Sequence, residues 1–207
     1  MFETIWARTD ARCKAILEPT LELAIEIARE GREGHRIGTI FMVGDAANVL
    51  ARSRSLILDP LAGHPESARS ITDANLRGTL KELAQLDGAF VISDEGVVVS
   101  ACRYLDATAV GIELPLGLGS RHFAAASISK VTESVGIVVS ESALVRVFDD
   151  GELIAEVLPE LWLLSRYSVQ LPAPFSEEHV RDLAILVSAD KGNSSNETQE
   201  SSAPISQ

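Results

Sequence analysis

The junction that most constrains this chain is Pro115-Leu-Gly-Leu-Gly119, a proline and two glycines set immediately ahead of a run of small, helix-compatible residues. Proline withholds a backbone donor and the glycines open positive φ, so the stretch is a turn and not part of a ladder. Ser120 stands where an N-cap belongs, and from Arg121 to about Thr132 the residues Ala124, Ala125, Ile128 and Val131 recur at helical spacing. The turn therefore delivers the chain into a helix N-terminus. First-turn amides, the positive end of the helix dipole and the planar fork of Arg121 converge there, an arrangement that suits a phosphate oxygen. The spacing matches neither the phosphate loop G-x-x-x-x-G-K-[ST] nor the dinucleotide fingerprint G-x-G-x-x-G. Taken alone, an ordinary loop capped by Ser120 reads the same way.

The rest of the chain alternates helices and strands. Residues 1 to 34 read as helical, with Leu17, Leu21, Ala24, Ile25 and Ala28 on one face, Glu22, Glu26, Arg29 and Glu30 on a solvated one, and Gly31 and Gly34 ending the element. Ile37 to Val43 is a β-branched run that predicts an inner strand, and Gly44-Asp45 caps a short helix through Arg52. Leu56 to Leu58 suggests a brief strand before the Asp59-Pro60 break, and Thr72-Asp73 caps a helix ending at Leu86. Ala89–Ile92 and Val97–Val99 flank the turn Asp94-Glu95-Gly96, a hairpin signal. Its mouth carries Asp87 on one side and the segment Arg103 to Asp106 on the other. Val135–Val139, Leu144–Phe148 and Leu153–Val157 are further strands, Pro159 opens a last helix containing Trp162, and the segment after about Asp190 lacks any apolar period and is expected to be disordered. Hairpins and helical crossovers together predict an α/β fold with a central mixed β-sheet flanked by helices. The expected division is a helical segment over 1–34, a domain over 35–188 and a tail over 189–207.

Composition excludes several function classes. With 207 residues, 46% of them hydrophobic, the chain can bury a substantial core. A net charge of −12 disfavours nucleic acid, because no basic stripe exists to displace counterions. A polyphosphate ligand would then need a local positive site and a divalent cation. Cys13 and Cys102 are isolated and fit a reducing cytoplasm. No apolar run reaches the ~18 residues of a membrane span, and no basic segment leads into a short apolar one as in a secretion signal. His64, in a Gly-His-Pro loop, reads as a turn residue.

Read together, DGA at 87–89, LGSRHFAAA at 118–126 and VVSES at 138–142 resemble the diadenylate cyclase domain, with all three motifs in order and the likeness running over roughly residues 36 to 160. The flanking phrases GTIFMVGD, LILDPLAGHP and VRVFDDG are most similar to the soluble archaeal-type branch. Two positions depart from the pattern: Phe123 stands where the family often has a second arginine, and Ser142 where some relatives carry a second glutamate. The resemblance implies condensation of two ATP into cyclic di-AMP, a Mn2+ or Mg2+ cofactor, and a homodimer or higher assembly in the active state. It also implies that Leu105 reads adenine through its backbone, that Gly119, Ser120 and Ser140 contact phosphates, and that Glu141 lies beside them.

The residues themselves supply the chemistry such a reaction needs. A 3′-hydroxyl must lose its proton, attack an α-phosphorus and expel pyrophosphate in line. Asp87 is the candidate catalytic carboxylate and metal ligand, Gly88 lets substrate approach the backbone, and Ala89 keeps the floor of the site small. Arg121 is the candidate phosphate clamp, and His122 either binds phosphate or orients Asp87, a structural histidine being the alternative. A non-catalytic sensor of adenine nucleotide or of the cyclic product is the competing function. The acidic Asp87 argues against it, since a pure binding site has no use for a carboxylate facing a triphosphate unless a metal lies between.

Overall fold

Strand β1, Thr39–Val43, is fully buried, and its alternate side chains feed two different cores. Phe41 and Val43 point into one apolar cluster, Ile40 and Met42 into another, as the two-residue period of a strand requires. The same split recurs in β3, Ala89–Ile92, and in β5, Val135–Val139, so the centre of the sheet is covered on both faces. The computed structural model describes residues 2–7, 9, 14–31, 35–159, 175–180 and 183–188. Pro159, expected to open a last helix, is instead the final residue of a strand that ends the described stretch; Trp162, the tail beyond Asp190, Cys13 and Gly34 lie outside the described residues.

The sheet has nine strands in the order β2-β4-β3-β1-β5-β6-β7-β9-β8. The others are β2 (Ser53–Ser55), β4 (Val98–Leu105), β6 (Val145–Asp149), β7 (Glu152–Pro159), β8 (Phe175–Val180) and β9 (Leu183–Ser188). Only β1 and β3 pair in parallel; every other described pairing is antiparallel. The mixed sheet expected from the sequence is therefore present.

Helices α1 (Glu3–Trp6), α2 (Lys14–Glu30) and α4 (Ala74–Leu83) supply the first cluster through Phe2, Leu17, Leu21, Leu76 and Leu80, while α3 (Ala46–Ala51) and α5 (Ser120–Val131) supply the second through Val49, Ala125, Ala126 and Ile128. Small residues on α5 let it sit close to the sheet: a Cβ added to Gly136 of β5 would meet the Ala125 Cβ at 3.0 Å.

Several local expectations change. The N-terminal segment is two helices, and Glu26 on its polar face is not merely solvated: it pairs with Arg77 at 2.8 Å and Lys81 at 2.9 Å, clasping α2 to α4. The strand expected at Leu56 to Leu58 lies instead at Ser53–Ser55, and Leu58 is almost wholly exposed. Its backbone must pair with β4, and the register Ser53 to Leu105 leaves the apolar residues beyond the last rung. Asp45 does precede α3, yet its carboxylate makes no cap: with φ of +46° it turns away, accepting from Asn48 Nδ2 and the Glu133 amide. Asp73 caps α4 as expected, accepting from the Leu76 amide.

Candidate active site

Register places the candidate residues at one end of the sheet. β1 and β3 run parallel and β5 runs opposite, with Ile40 beside Ala89 and Thr39 beside Val139. The residues before β1 and β3 and those after β5 therefore share an edge: Gly38, Asp87-Gly88 and Ser140-Glu141. On β4, Arg103 lies opposite Ala89, so Leu105 at the end of that strand belongs to the same end. Helix α5 begins over it.

Arg121, in the first turn of α5, reaches across this edge. Its Nη1 donates to Glu141 Oε1 at 2.9 Å and its Nη2 to Asp87 Oδ1 at 3.4 Å. All three side chains are solvent-accessible, with 38% of Arg121, 81% of Asp87 and 65% of Glu141 exposed, so this clasp is open to exchange with a ligand. Gly38 makes room for it. A Cβ there would stand 2.8 Å from Arg121 Nη1 and 3.3 Å from Glu141 Cγ. Gly88 has φ of +107°, and its Cβ would meet the Cys102 carbonyl carbon at 2.6 Å and the Arg103 nitrogen at 2.8 Å, so the strand approach before β3 admits only glycine. Ala89 is buried in the floor.

The helix start differs from expectation. Gly119 is the N-cap and Ser120 the first helical residue; no side chain caps α5. The Gly119 carbonyl instead accepts from the His122 and Phe123 amides at 3.1 and 3.2 Å. An uncapped, exposed N-terminus preserves its affinity for an anion. Ser140 is engaged within the turn after β5, its hydroxyl bonded to Ser142 Oγ at 2.8 Å and accepting from the Ser142 amide. Leu105 is buried, opposite Ser53.

Of the readings open for His122, its contacts fit the structural one. It is 7% exposed, and its hydrogen-bond partner is not Asp87: Nε2 lies 3.1 Å from Arg146 Nη1 on β6. Arg146 Nε in turn donates to Glu156 Oε1 on β7 at 2.5 Å, with Arg146 3% and Glu156 0% exposed. Burial first, and then the positive charge of Arg146, lower the His122 pKa from 6.5 to about 4, so the ring is neutral near pH 7. Its Nδ1 is buried with no hydrogen-bond partner among the described residues. Sequence reading missed Gly38, Arg146 and Glu156. The signal available for the last two was a charge at an inward position of an otherwise apolar strand, in VRVFD and LIAEV.

No group of three or more His, Cys, Asp or Glu side chains that could hold a metal exists among the described residues. A hard divalent cation bound through one or two carboxylates, with its other positions filled by phosphate oxygens and water, needs no such cage, and the exposed Asp87 carboxylate fits that role. No helix among the described residues is long and apolar enough to cross a membrane.

The chain is similar to proteins of one known family. The family model described as DisA bacterial checkpoint controller nucleotide-binding (DAC) matches residues 26–153, more than half the chain. A diadenylate cyclase of Methanocaldococcus jannaschii is 49% identical over 165 residues, covering 79% of this chain and 51% of that protein. A diadenylate cyclase of Haloferax volcanii is 43% identical over 148 residues, covering 71% of this chain and 54% of that protein. This chain thus spans about half the length of each. Among solved structures, a double cysteine mutant of DacA from Staphylococcus aureus is similar at 20% identity with a TM-score of 0.45, over 68% of this chain and 85% of that one. The family match spans β1, the Asp87 turn, α5 and β5, the elements that build the clasp, and the chain belongs to the DisA bacterial checkpoint controller nucleotide-binding (DAC) family.

Proposed function

We propose that the chain is a diadenylate cyclase that condenses two ATP into cyclic di-AMP and releases two pyrophosphates. The observation that carries this reading is the clasp: one exposed guanidinium at an uncapped helix start, held by two exposed carboxylates at the end of the sheet. An incoming triphosphate offers Arg121 oxygens of higher charge than either carboxylate, so the clasp opens as substrate binds. Arg121 and the first-turn amides of α5 then hold phosphate, and Gly88 and Gly38 keep the floor free of side chains.

Asp87, released from Arg121, would face the reacting hydroxyl and would hold a divalent cation, Mn2+ or Mg2+. When bound, that cation lowers the hydroxyl's pKa and offsets charge gathering on the phosphate. Each 3′-oxygen forms a bond to the α-phosphorus of the other nucleotide as the bond to the β-phosphate oxygen breaks, and each hydroxyl proton leaves through the Asp87 carboxylate to water. One chain presents one such clasp, whereas the product contains two symmetric linkages. Two chains related by a two-fold axis, each offering its loaded nucleotide to the other, meet that requirement.

Incubating the protein with ATP and Mn2+ or Mg2+ and identifying the product by mass tests the reading directly. Cyclic di-AMP is expected, with a rate per chain that falls on dilution below the dimerisation constant. Binding of ATP without product would instead identify a nucleotide sensor, and constant specific activity in a plainly monomeric range would remove the two-chain arrangement.

A further inference from the structure

His122 adjoins the phosphate clamp in sequence, yet its side chain turns inward to a charged pair that the reaction as described does not use. A guanidinium carries only donors, so at 3.1 Å from Arg146 Nη1 the His122 Nε2 must be the acceptor. The ring proton is therefore on Nδ1, which is buried without a hydrogen-bond partner among the described residues. Arg146 is held in turn by Glu156, which cancels its charge in the interior. The edge of the Phe148 ring packs on the imidazole at 6.1 Å between centroids and 62° between planes, closing off another orientation. The result is one contiguous line of contacts: the imidazole in the first turn of α5, the guanidinium on β6 and the carboxylate on β7.

A buried ion pair seldom adds net stability over apolar residues of the same shape, so its presence under this helix calls for another account. It fixes a tautomer. Without a donor at Nε2 the imidazole is free to carry its proton on either nitrogen. An Nε2–H ring would turn a proton toward a guanidinium that has only donors and push the first turn of α5 off β6. The locked Nδ1–H ring instead accepts from Arg146 and ties that turn to the sheet, where Arg121 and the first-turn amides face the site.

We propose that Arg146 and Glu156 are positioning residues for nucleotidyl transfer, which fix His122 as the Nδ1–H tautomer so that its ring anchors the first turn of α5 to β6 and does not act as a base or a phosphate ligand. This rests on the cyclase reading above only for its effect on rate. The lock itself is a property of the nucleotide-free protein.

Nitrogen-15 NMR of the histidine rings at pH 7, without nucleotide, reads the tautomer directly. The parent protein is expected to show an unprotonated Nε2 on His122; an Nε2–H ring or an imidazolium overturns the proposal. Because Arg146→Met alone removes the positive charge beside the buried Glu156 carboxylate, the informative variant is the double change Arg146→Met with Glu156→Leu, which keeps volume and removes both charges. It is expected to stay folded, to lose the single tautomer, to move the Gly119 to Arg121 amide shifts, and to lower the rate at saturating ATP by about ten- to a hundredfold, the scale of a misplaced reactant. Arg146→Lys with Glu156 retained still donates to Nε2 and is expected to recover part of that loss. A folded double variant with the parent's tautomer or the parent's rate overturns the proposal. A parent that makes no cyclic product counts against the cyclase reading and not against the lock, which the ring tautomer and the amide shifts then decide.

Discussion

Two arginines approach the start of α5 from opposite sides, and they are held in opposite ways. Arg121 lies on the surface between Asp87 and Glu141, three side chains that water reaches freely. Arg146 lies under the helix, almost wholly buried with Glu156 and against His122. Exposed pairs of the first kind contribute about 0–1 kcal/mol, because solvent already satisfies both charges. For the second kind, removing one partner strands a charge in the interior and costs about 3–5 kcal/mol. The same residue type therefore does two jobs on one helical turn. Where charge must be exchanged for a ligand it is left wet, and where geometry must not change it is dried and paired.

The largest effect expected from breaking this contrast falls on the buried side. Glu156→Ala leaves Arg146 without its counter-charge and opens space between β7 and β6, so urea denaturation should register a loss of about 3–5 kcal/mol. A loss below about 1 kcal/mol would mean that water reaches the pair in solution, and the contrast between the two arginines would fail.

Acid is the next lever. Because burial and Arg146 hold the His122 pKa near 4 against 6.5 in the unfolded chain, the unfolded state takes up a proton in this window that the folded state refuses. Its contribution is complete above pH 6.5 and is lost as pH falls toward 4. The full gap corresponds to about 3 kcal/mol. Stability measured between pH 7 and 4 should fall more steeply in the parent than in His122→Gln, which has nothing to protonate. Parallel curves for the two proteins would show that His122 titrates normally.

Much of the frame was legible because the physics behind it is local. The apolar runs IGTIFMV and VGIVV, the turn at Asp94 to Gly96 and the cap at Asp73 all depend on residues close in sequence, and strands, turn and cap are present there, with β1 starting at Thr39 and β4 running on to Leu105. Arg121, Asp87 and Glu141 were legible as candidates through their motifs, and register brings them into contact. What stayed hidden is decided by tertiary packing. Gly38 reads as an ordinary glycine before a strand until Arg121 lies across it, and Ser120 reads as a cap because nothing in the sequence shows that Gly119 takes the non-helical position. His122 was assigned toward the site because its neighbour Arg121 points there. Successive helical residues diverge by about 100°, so one faces solvent and the next faces the sheet. Its partner lies 24 residues away on another strand, beyond the reach of any spacing rule.

The smallest effects on stability, and the largest on turnover, are expected at the exposed clasp. Arg121→Ala removes two solvent-screened contacts and should change the unfolding free energy by less than about 1 kcal/mol. Asp87→Asn should behave alike, since its side chain is 81% exposed. Both should nonetheless remove most cyclase activity, and Arg121→Ala should also raise the ATP concentration needed for half-maximal rate, because the proposed function gives the guanidinium the phosphate and the Asp87 carboxylate the cation and the hydroxyl. Phe123→Arg is the matching control. Phe123 is 40% exposed and its amide, not its ring, joins the Gly119 carbonyl, so the change loses little burial and leaves the helix start intact. A cation in the first turn opposes the helix dipole by about 0.3–1 kcal/mol and in compensation adds a second donor near phosphate. Turnover within about threefold of the parent is therefore expected for Phe123→Arg. Should Phe123→Ala abolish ATP binding while Arg121→Ala binds as the parent does, the clamp would have to be reassigned from the guanidinium to the aromatic face, and the wet side of the comparison would lose its function.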